Sequence, residues 1–221
     1  MRISIGTRSL LYGYHQFILH PLLLAVCWTK LYGFPFDPRL WVAFFVHDLG
    51  YFGKPNLDGP EGEGHVWLGA EIMGTLFDCY DLYGHKDPLA AWPARLLGRV
   101  CDFIWGRCPH GKTWYCFAFY HSRFMARRYK VEPSKLCYAD KAVIGWTPTW
   151  IQLGLMRLTG EWREYVIGRD SRTAMAEGES LTDWANNMRS VCREMVNSHV
   201  EKAALKQKIL QAVFTPLNRK N

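Results

Sequence analysis

Two adjacent residues, His47 and Asp48, close the apolar run Leu40-Trp41-Val42-Ala43-Phe44-Phe45-Val46. An imidazole and a carboxylate at the inner end of a buried segment are costly unless something pairs with them. A metal ion is one such partner, because neutral imidazole and carboxylate are among its usual protein ligands. His20, His65, His121 and Asp140 sit in similar settings. Asp140 has Leu136 at i−4 and Val143 and Ile144 at i+3 and i+4, so its side chain points where a core belongs. His121 has Phe117 at i−4, with Phe124 and Met125 beyond it, and His20 is followed by Leu23 and Leu24.

A lone histidine on an apolar face is ordinarily a hydrogen-bonded core residue, and a lone inward aspartate is a helix cap or one half of an ion pair. Together, His20, His47, Asp48, His65, His121 and Asp140 call for a shared partner, because no inward Lys or Arg matches them in the pattern. A pair of divalent cations supplies the missing charge. An unpaired buried carboxylate would otherwise shift its pKa or destabilise the chain.

The elements that must position these residues read as helices. Residues 15–31 place Phe17, His20, Leu23, Leu24 and Cys27 on one face. Asp37-Pro38 starts a helix that runs to His47-Asp48 and stops at Gly50, since Asp caps and Pro is tolerated in a first turn. Residues 50–64 hold five glycines and two prolines and form a loop long enough to serve the site. A helix resumes near His65 and runs to Phe77. Asp87-Pro88 marks another start, and residues 113–129 form one continuous helix carrying His121. Glu132-Pro133-Ser134 opens the helix of Asp140, Thr147-Pro148 begins a short segment, and Ser180 caps a last long helix. Nothing reads as a sheet and no repeat stands out, so the predicted fold class is all-α.

The chain has 221 residues, 49% of them hydrophobic, which suits one domain with a sizeable core and a helical extension. We place the metal-binding helical domain at 1–160 and the extension at 161–221. A net charge of +7 and a pI near 9.1 fit an anionic partner such as a nucleotide or phosphate ester. Nucleic acid is compatible with that charge but is not specifically indicated, because the basic residues are spread out. Seven cysteines, with no CxxC pair, read as reduced thiols in a cytoplasmic protein. No stretch is long enough for a membrane span, and the first residues lack a signal-peptide pattern.

The order His20, His47-Asp48, His65, His121, Asp140 resembles the HD superfamily of metal-dependent phosphohydrolases. The stretch "HDLGYFGKP" resembles the family's His-Asp-x-Gly signature, "HVWLGAEIM" the segment after its third histidine, and "YHSRFMARRYKVEPSKLCYADKAV" the His…Ala-Asp-Lys segment that closes the site. The likeness covers roughly residues 15–150 and is strongest to two-metal hydrolases of dinucleoside polyphosphates. It implies an HD-domain helical bundle. It implies that His20, His47, Asp48 and Asp140 hold one metal (Fe, Mn, Co or Mg) and that Asp48 bridges to a second held by His65 and His121. Many relatives carry Lys directly after the signature, where this chain has Tyr51, and Lys54 is the nearby substitute. His85 and His110 fall in the long link between the third and fourth histidines.

The expected reaction is hydrolysis of a phosphoester or phosphoanhydride, with a metal-activated water as nucleophile and a nucleotide as the favoured substrate. Asp48 and Lys54 are the expected catalytic residues. Lys54, Arg123 and Lys141 are the expected phosphate contacts. Asp58, Glu61 and Glu63 are expected to stay solvated in the loop. Two other readings share the same residues. One is the small branch of the superfamily in which four His and two Asp hold two irons that activate oxygen to cleave C–C or C–P bonds. The other is a non-catalytic nucleotide-binding module.

Overall fold

A computed structural model describes residues 3–59, 61–78, 92–109, 113–166 and 175–214. Helices and connecting turns make up the described residues, and there is no strand among them, so the chain is all-α. In order, the helices are α1 (Ile5–Tyr12), α2 (Leu19–Tyr32), α3 (Pro38–Val46), α4 (Val66–Phe77), α5 (Trp92–Trp105), α6 (Trp114–Phe119), α7 (Arg123–Arg128), α8 (Lys135–Trp146), α9 (Thr149–Thr159), α10 (Trp162–Val166) and α11 (Leu181–Phe214). No described helix is long and apolar enough to cross a membrane.

The local signals explain where the key helices begin and end. Asp37 caps α3 by accepting from the Arg39 N–H, and Pro38 takes the first helical position. Helix α2 stops at Gly33, whose φ of 89° lies in the region that glycine adopts without a steric penalty. Ser180 caps α11, its Oγ accepting from Asp183 N at 3.1 Å.

The core is built by α2, α3, α4, α6 and α8. Leu24, Phe44, Met73, Phe117 and Leu136 are all wholly buried within it. Removing side chains of this size from water stabilises the fold by roughly 1.5–3 kcal/mol each. Helix α8 lies at the centre, packed on α2 on one side and on α11 on another, while α4 packs on α3 and α6. A smaller cluster of Leu153, Met156, Trp184 and Ala185 joins α9 to α11.

Three expectations need correction. Phe17 precedes α2 and is exposed rather than on its buried face. The continuous helix over 113–129 is two short helices. The chain breaks at Tyr120, and Ser122 restarts it by accepting from the Met125 N–H. The first helix, α1, was not anticipated; Ser4 caps it and it packs on α9. The expected start at Asp87-Pro88, together with His85 and His110, lies outside the described residues.

Candidate metal centre

Six side chains from five parts of the fold converge. His20 comes from the first turn of α2, and His47 and Asp48 follow the last residue of α3. His65 ends a 3-10 turn that leads into α4, His121 occupies the break between α6 and α7, and Asp140 comes from the middle of α8. All six are buried. The break that interrupts the expected helix at 120–122 therefore has a local consequence: it holds His121 in a turn, with its Nδ1 2.5 Å from the carbonyl of Ala118.

Two close backbone approaches fix the spacing. A Cβ on Gly50 would lie 1.8 Å from the carbonyl oxygen of His65, so only glycine lets the turn after Asp48 rest against that residue. A Cβ on Gly69 would lie 2.6 Å from the carbonyl of Val46, so α4 crosses the end of α3 main chain against main chain. Together they bring the His47-Asp48 pair beside His65.

The side chains form two groups that share Asp48. His20, His47, Asp48 and Asp140 each offer a ligand atom within 4.8 Å of the others, and so do Asp48, His65 and His121. The two oxygens of Asp48 face different groups. Its Oδ2 lies 3.1 Å from His47 Nε2 and 3.4 Å from His20 Nε2. Its Oδ1 lies 3.5 Å from His121 Nε2 and 3.6 Å from His65 Nε2. His20 Nε2 is also 3.1 Å from Asp140 Oδ1. The Nε2 atoms of His65 and His121 are 3.1 Å apart. Two nitrogens bound to one ion at about 2.1 Å in adjacent positions lie roughly 3 Å apart.

These residues fit a metal on a direct test of the unsatisfied atoms. Despite the short distances, His20 Nε2, His47 Nε2 and Asp48 Oδ2 are sealed from solvent and none has a hydrogen-bond partner. Buried polar atoms in folded proteins are nearly always satisfied. The opposite nitrogens of three rings are satisfied. Nδ1 of His47 lies 2.9 Å from the Phe44 carbonyl, and that of His65 lies 2.7 Å from the Gly62 carbonyl, which matches the Ala118 contact of His121. A ring that donates Nδ1–H to a carbonyl turns the lone pair of Nε2 inward, as metal-bound histidines do. His20 differs, since both its ring nitrogens lack a partner.

The electrostatics agree. Burial opposes charge on Asp48, but the His47 imidazole, and after it that of His121, outweigh it and hold the carboxyl well below its ordinary range. Burial likewise opposes charge on Asp140, and Lys141 overcomes it. Burial, then the neighbouring His121, push His65 down to about 3, so its ring is neutral. Burial works against charge on His47 too, yet Asp48 raises it above the usual imidazole value.

The expected phosphate contacts stand differently. Lys141 does turn inward: its Nζ lies 2.8 Å from Asp140 Oδ2, which gives that carboxylate the cation that the pattern of the chain did not reveal. Lys54 is half-buried, with its Nζ beside Gly64, next to His65. Arg123, the first residue of α7, is half-buried two positions after His121. Neither Lys54 nor Arg123 makes an ion pair among the described residues. The loop carboxylates are not simply solvated. Asn56 donates to Glu61 at 2.5 Å, and Ser122 donates to Glu63 at 3.4 Å, tying the loop to the turn of His121.

Residues that the pattern missed line the same region. Tyr51 is buried and stacks on His65 at 4.0 Å with the rings nearly parallel. His15 stands 4.9 Å from Tyr51 and 5.8 Å from His20, held by Ser9 Oγ at 2.8 Å, and burial lowers its pKa. The hydroxyl of Tyr14 is buried without a partner, and burial and then Asp140 raise its pKa well above normal. Only the position of Tyr51 after the His-Asp-x-Gly stretch could have suggested one of these. No family model, curated protein or solved structure matches the chain.

Proposed function

We propose that this chain is a metal-dependent phosphohydrolase of the HD type, acting on a nucleotide or other phosphoester. The observation that supports it most is Asp48, a buried carboxylate whose two oxygens face two separate ligand groups. That arrangement suits a carboxylate shared by two cations. Five nitrogen- and oxygen-bearing neighbours complete the donor set: His20, His47 and Asp140 on one side, His65 and His121 on the other. Imidazole-rich sets favour Fe, Mn or Co over Mg. The two carboxylates and Lys141 leave one net negative charge before the rings are counted, and a divalent ion reverses it.

When bound, a pair of divalent cations supplies the charge that acidifies a water and polarises a phosphoryl group. The chain's own residues set the geometry. Asp48 fixes the two ligand groups relative to each other. Lys141 keeps Asp140 ionised and oriented, so its role is positioning rather than a free phosphate contact. Lys54 and Arg123, with no ion-pair partner among the described residues, are the cations available to the oxygens of a phosphate. Tyr51 holds the plane of His65.

The donor count of four His and two Asp also favours a second reading, a di-iron oxygenase that cleaves a C–C or C–P bond. One experiment addresses both. Protein purified without a histidine tag is analysed for metal, restored with Mn²⁺, Fe²⁺ or Co²⁺, and offered a panel of nucleotides and phosphoesters. The hydrolase reading expects phosphate or nucleoside release that does not consume oxygen. Iron-dependent oxygen uptake would replace it with the second reading. Absence of bound metal together with no turnover would sink both.

A further inference from the structure

A cavity of about 620 Å³ opens between α9 and α11, and none of the six residues of the metal centre lines it. Small-molecule sites typically measure roughly 300–1,000 Å³. Its walls carry a particular chemistry. Thr149 and Trp150 come from the first turn of α9, Arg157 from its last turn, and Thr182 and Arg189 from α11. Among the described residues no carboxylate lines it. The nearby acidic side chains are engaged elsewhere: Asp183 accepts from Ser180 at 2.6 Å, and Glu179 accepts from Asn187 at 2.6 Å.

Arg189 is held in place but not neutralised. Its Nη1 donates to Thr149 Oγ1 at 2.7 Å, and that hydroxyl donates in turn to Asn186 Oδ1 at 2.6 Å. Its Nε is closed off from solvent and has no partner. Arg193, the next cation along α11, directs its own Nε to the Gly145 carbonyl at 2.6 Å. Burial first, then the proximity of Arg193, lower the pKa of the Arg189 guanidinium. A fixed cation with a second cation nearby, and no acid beside it among the described residues, is short of counter-charge. The leading N–H groups of α9, ahead of the bond from Ile151 N–H to the Pro148 carbonyl, add positive potential at the same rim.

Trp150 supplies the second half of the pattern. It is 76% exposed, the largest flat ring on this face, and it stands at the edge of the cavity. An indole beside two guanidiniums offers one surface for a planar ring and one for an anion.

We infer that the α9–α11 groove binds an organic phosphate bearing a planar ring, of the size of a nucleoside monophosphate. Arg157 and Arg189 take the phosphate, and Trp150 stacks on the ring. The inference is independent of the reaction at the metal centre.

The test uses AMP as the probe, with adenosine and inorganic phosphate as its two halves, titrated calorimetrically into the full chain after chelation of metals. AMP is expected to bind saturably, and more tightly than either half. Arg157→Gln and Trp150→Ala each alter an exposed side chain, so both should keep the circular dichroism and melting temperature of the parent. Each is expected to weaken AMP about tenfold. Asp48→Asn, which disables the metal centre, should leave this binding intact. Absence of saturable binding would overturn the inference, as would affinity unchanged in both groove variants or loss of binding in Asp48→Asn. Phosphate binding as tightly as AMP would overturn it too, because the ring would then have no role.

Discussion

Two regions of this molecule bury charge, and they do it in opposite ways. Around Arg39, which is 1% exposed, every guanidinium nitrogen has an acceptor. Asp37 takes its Nε and Nη2, Asp102 takes Nη1 at 2.6 Å, the Gly106 carbonyl accepts from Nη2 at 2.6 Å, and Trp114 covers the guanidinium face at 4.7 Å. Burial disfavours its charge, but the hydrogen bonds it donates to Asp37 and Asp102 more than compensate, and its pKa rises. At the His/Asp cluster the outward ring nitrogens of His47, His65 and His121 are satisfied, while atoms on His20, His47 and Asp48 are left without partners. A completed ion pair joins elements of a fold. A buried polar cluster with open atoms on several of its members has the donors to hold an ion. The difference separates burial of charge that the chain completes from burial that it leaves incomplete.

The largest effect that would sharpen this contrast is at Asp48. Asp48→Asn removes the carboxylate common to both ligand groups. We expect metal affinity to fall at least about 100-fold, with the metal-free fold no less stable than the parent. Metal analysis and thermal melts read the two quantities separately. Full metal content in the variant would break the comparison.

The converse change is Arg39→Met. It leaves Asp37 and Asp102 without their cation and removes a side chain packed on Trp114. Because Asp102 is half open to solvent, we expect a loss near the lower end of the range for a broken buried pair, about 3 kcal/mol. Metal stoichiometry should not change. Denaturant unfolding measures the first and metal analysis the second; a loss of metal with no loss of stability would reverse the assignments of the two regions.

The smallest effect concerns acidity. In the metal-free chain Asp48 raises the pKa of His47, so a proton competes with metal there as the pH falls through neutrality. His65, held at about 3, and Asp48, held below its normal range, do not take up protons in that interval. Metal affinity should therefore decline toward acid, by up to about tenfold per pH unit for each proton that the metal displaces. Titrations at several pH values on either side of neutrality measure this, and a flat profile would remove His47 from the ligand set.

Much of the cluster was legible because helical spacing predicts side-chain direction. Asp140 among Leu136, Val143 and Ile144, and His20 before Leu23 and Leu24, point inward in the sequence and are buried in the structure. The all-α class follows from the same periodicity. What was not legible depends on contacts between distant segments. The break at Tyr120 sits inside an aromatic-rich run that reads as one helix, although Ser122 carries the side chain that restarts it. Lys141 reads as a phosphate contact, and only the packing of α8 turns it onto the Asp140 carboxylate instead. The stacking of Tyr51 on His65 joins two residues on either side of a glycine-rich loop, and no pattern encodes it. The Arg39 network, likewise, draws on Asp102 and Gly106 from more than sixty positions away.

The contact of Gly50 with the carbonyl of His65 carries a last implication. Side chains swing between rotamers, but two peptide planes in contact cannot be eased apart without moving the segments that carry them. The gauge of the pocket, meaning the interval between its two halves, is thus cut into the main chain. A protein made this way can exchange the residues that face its ligand and keep the same calibre, whereas one methyl group added at position 50 would force the jaws to a different width.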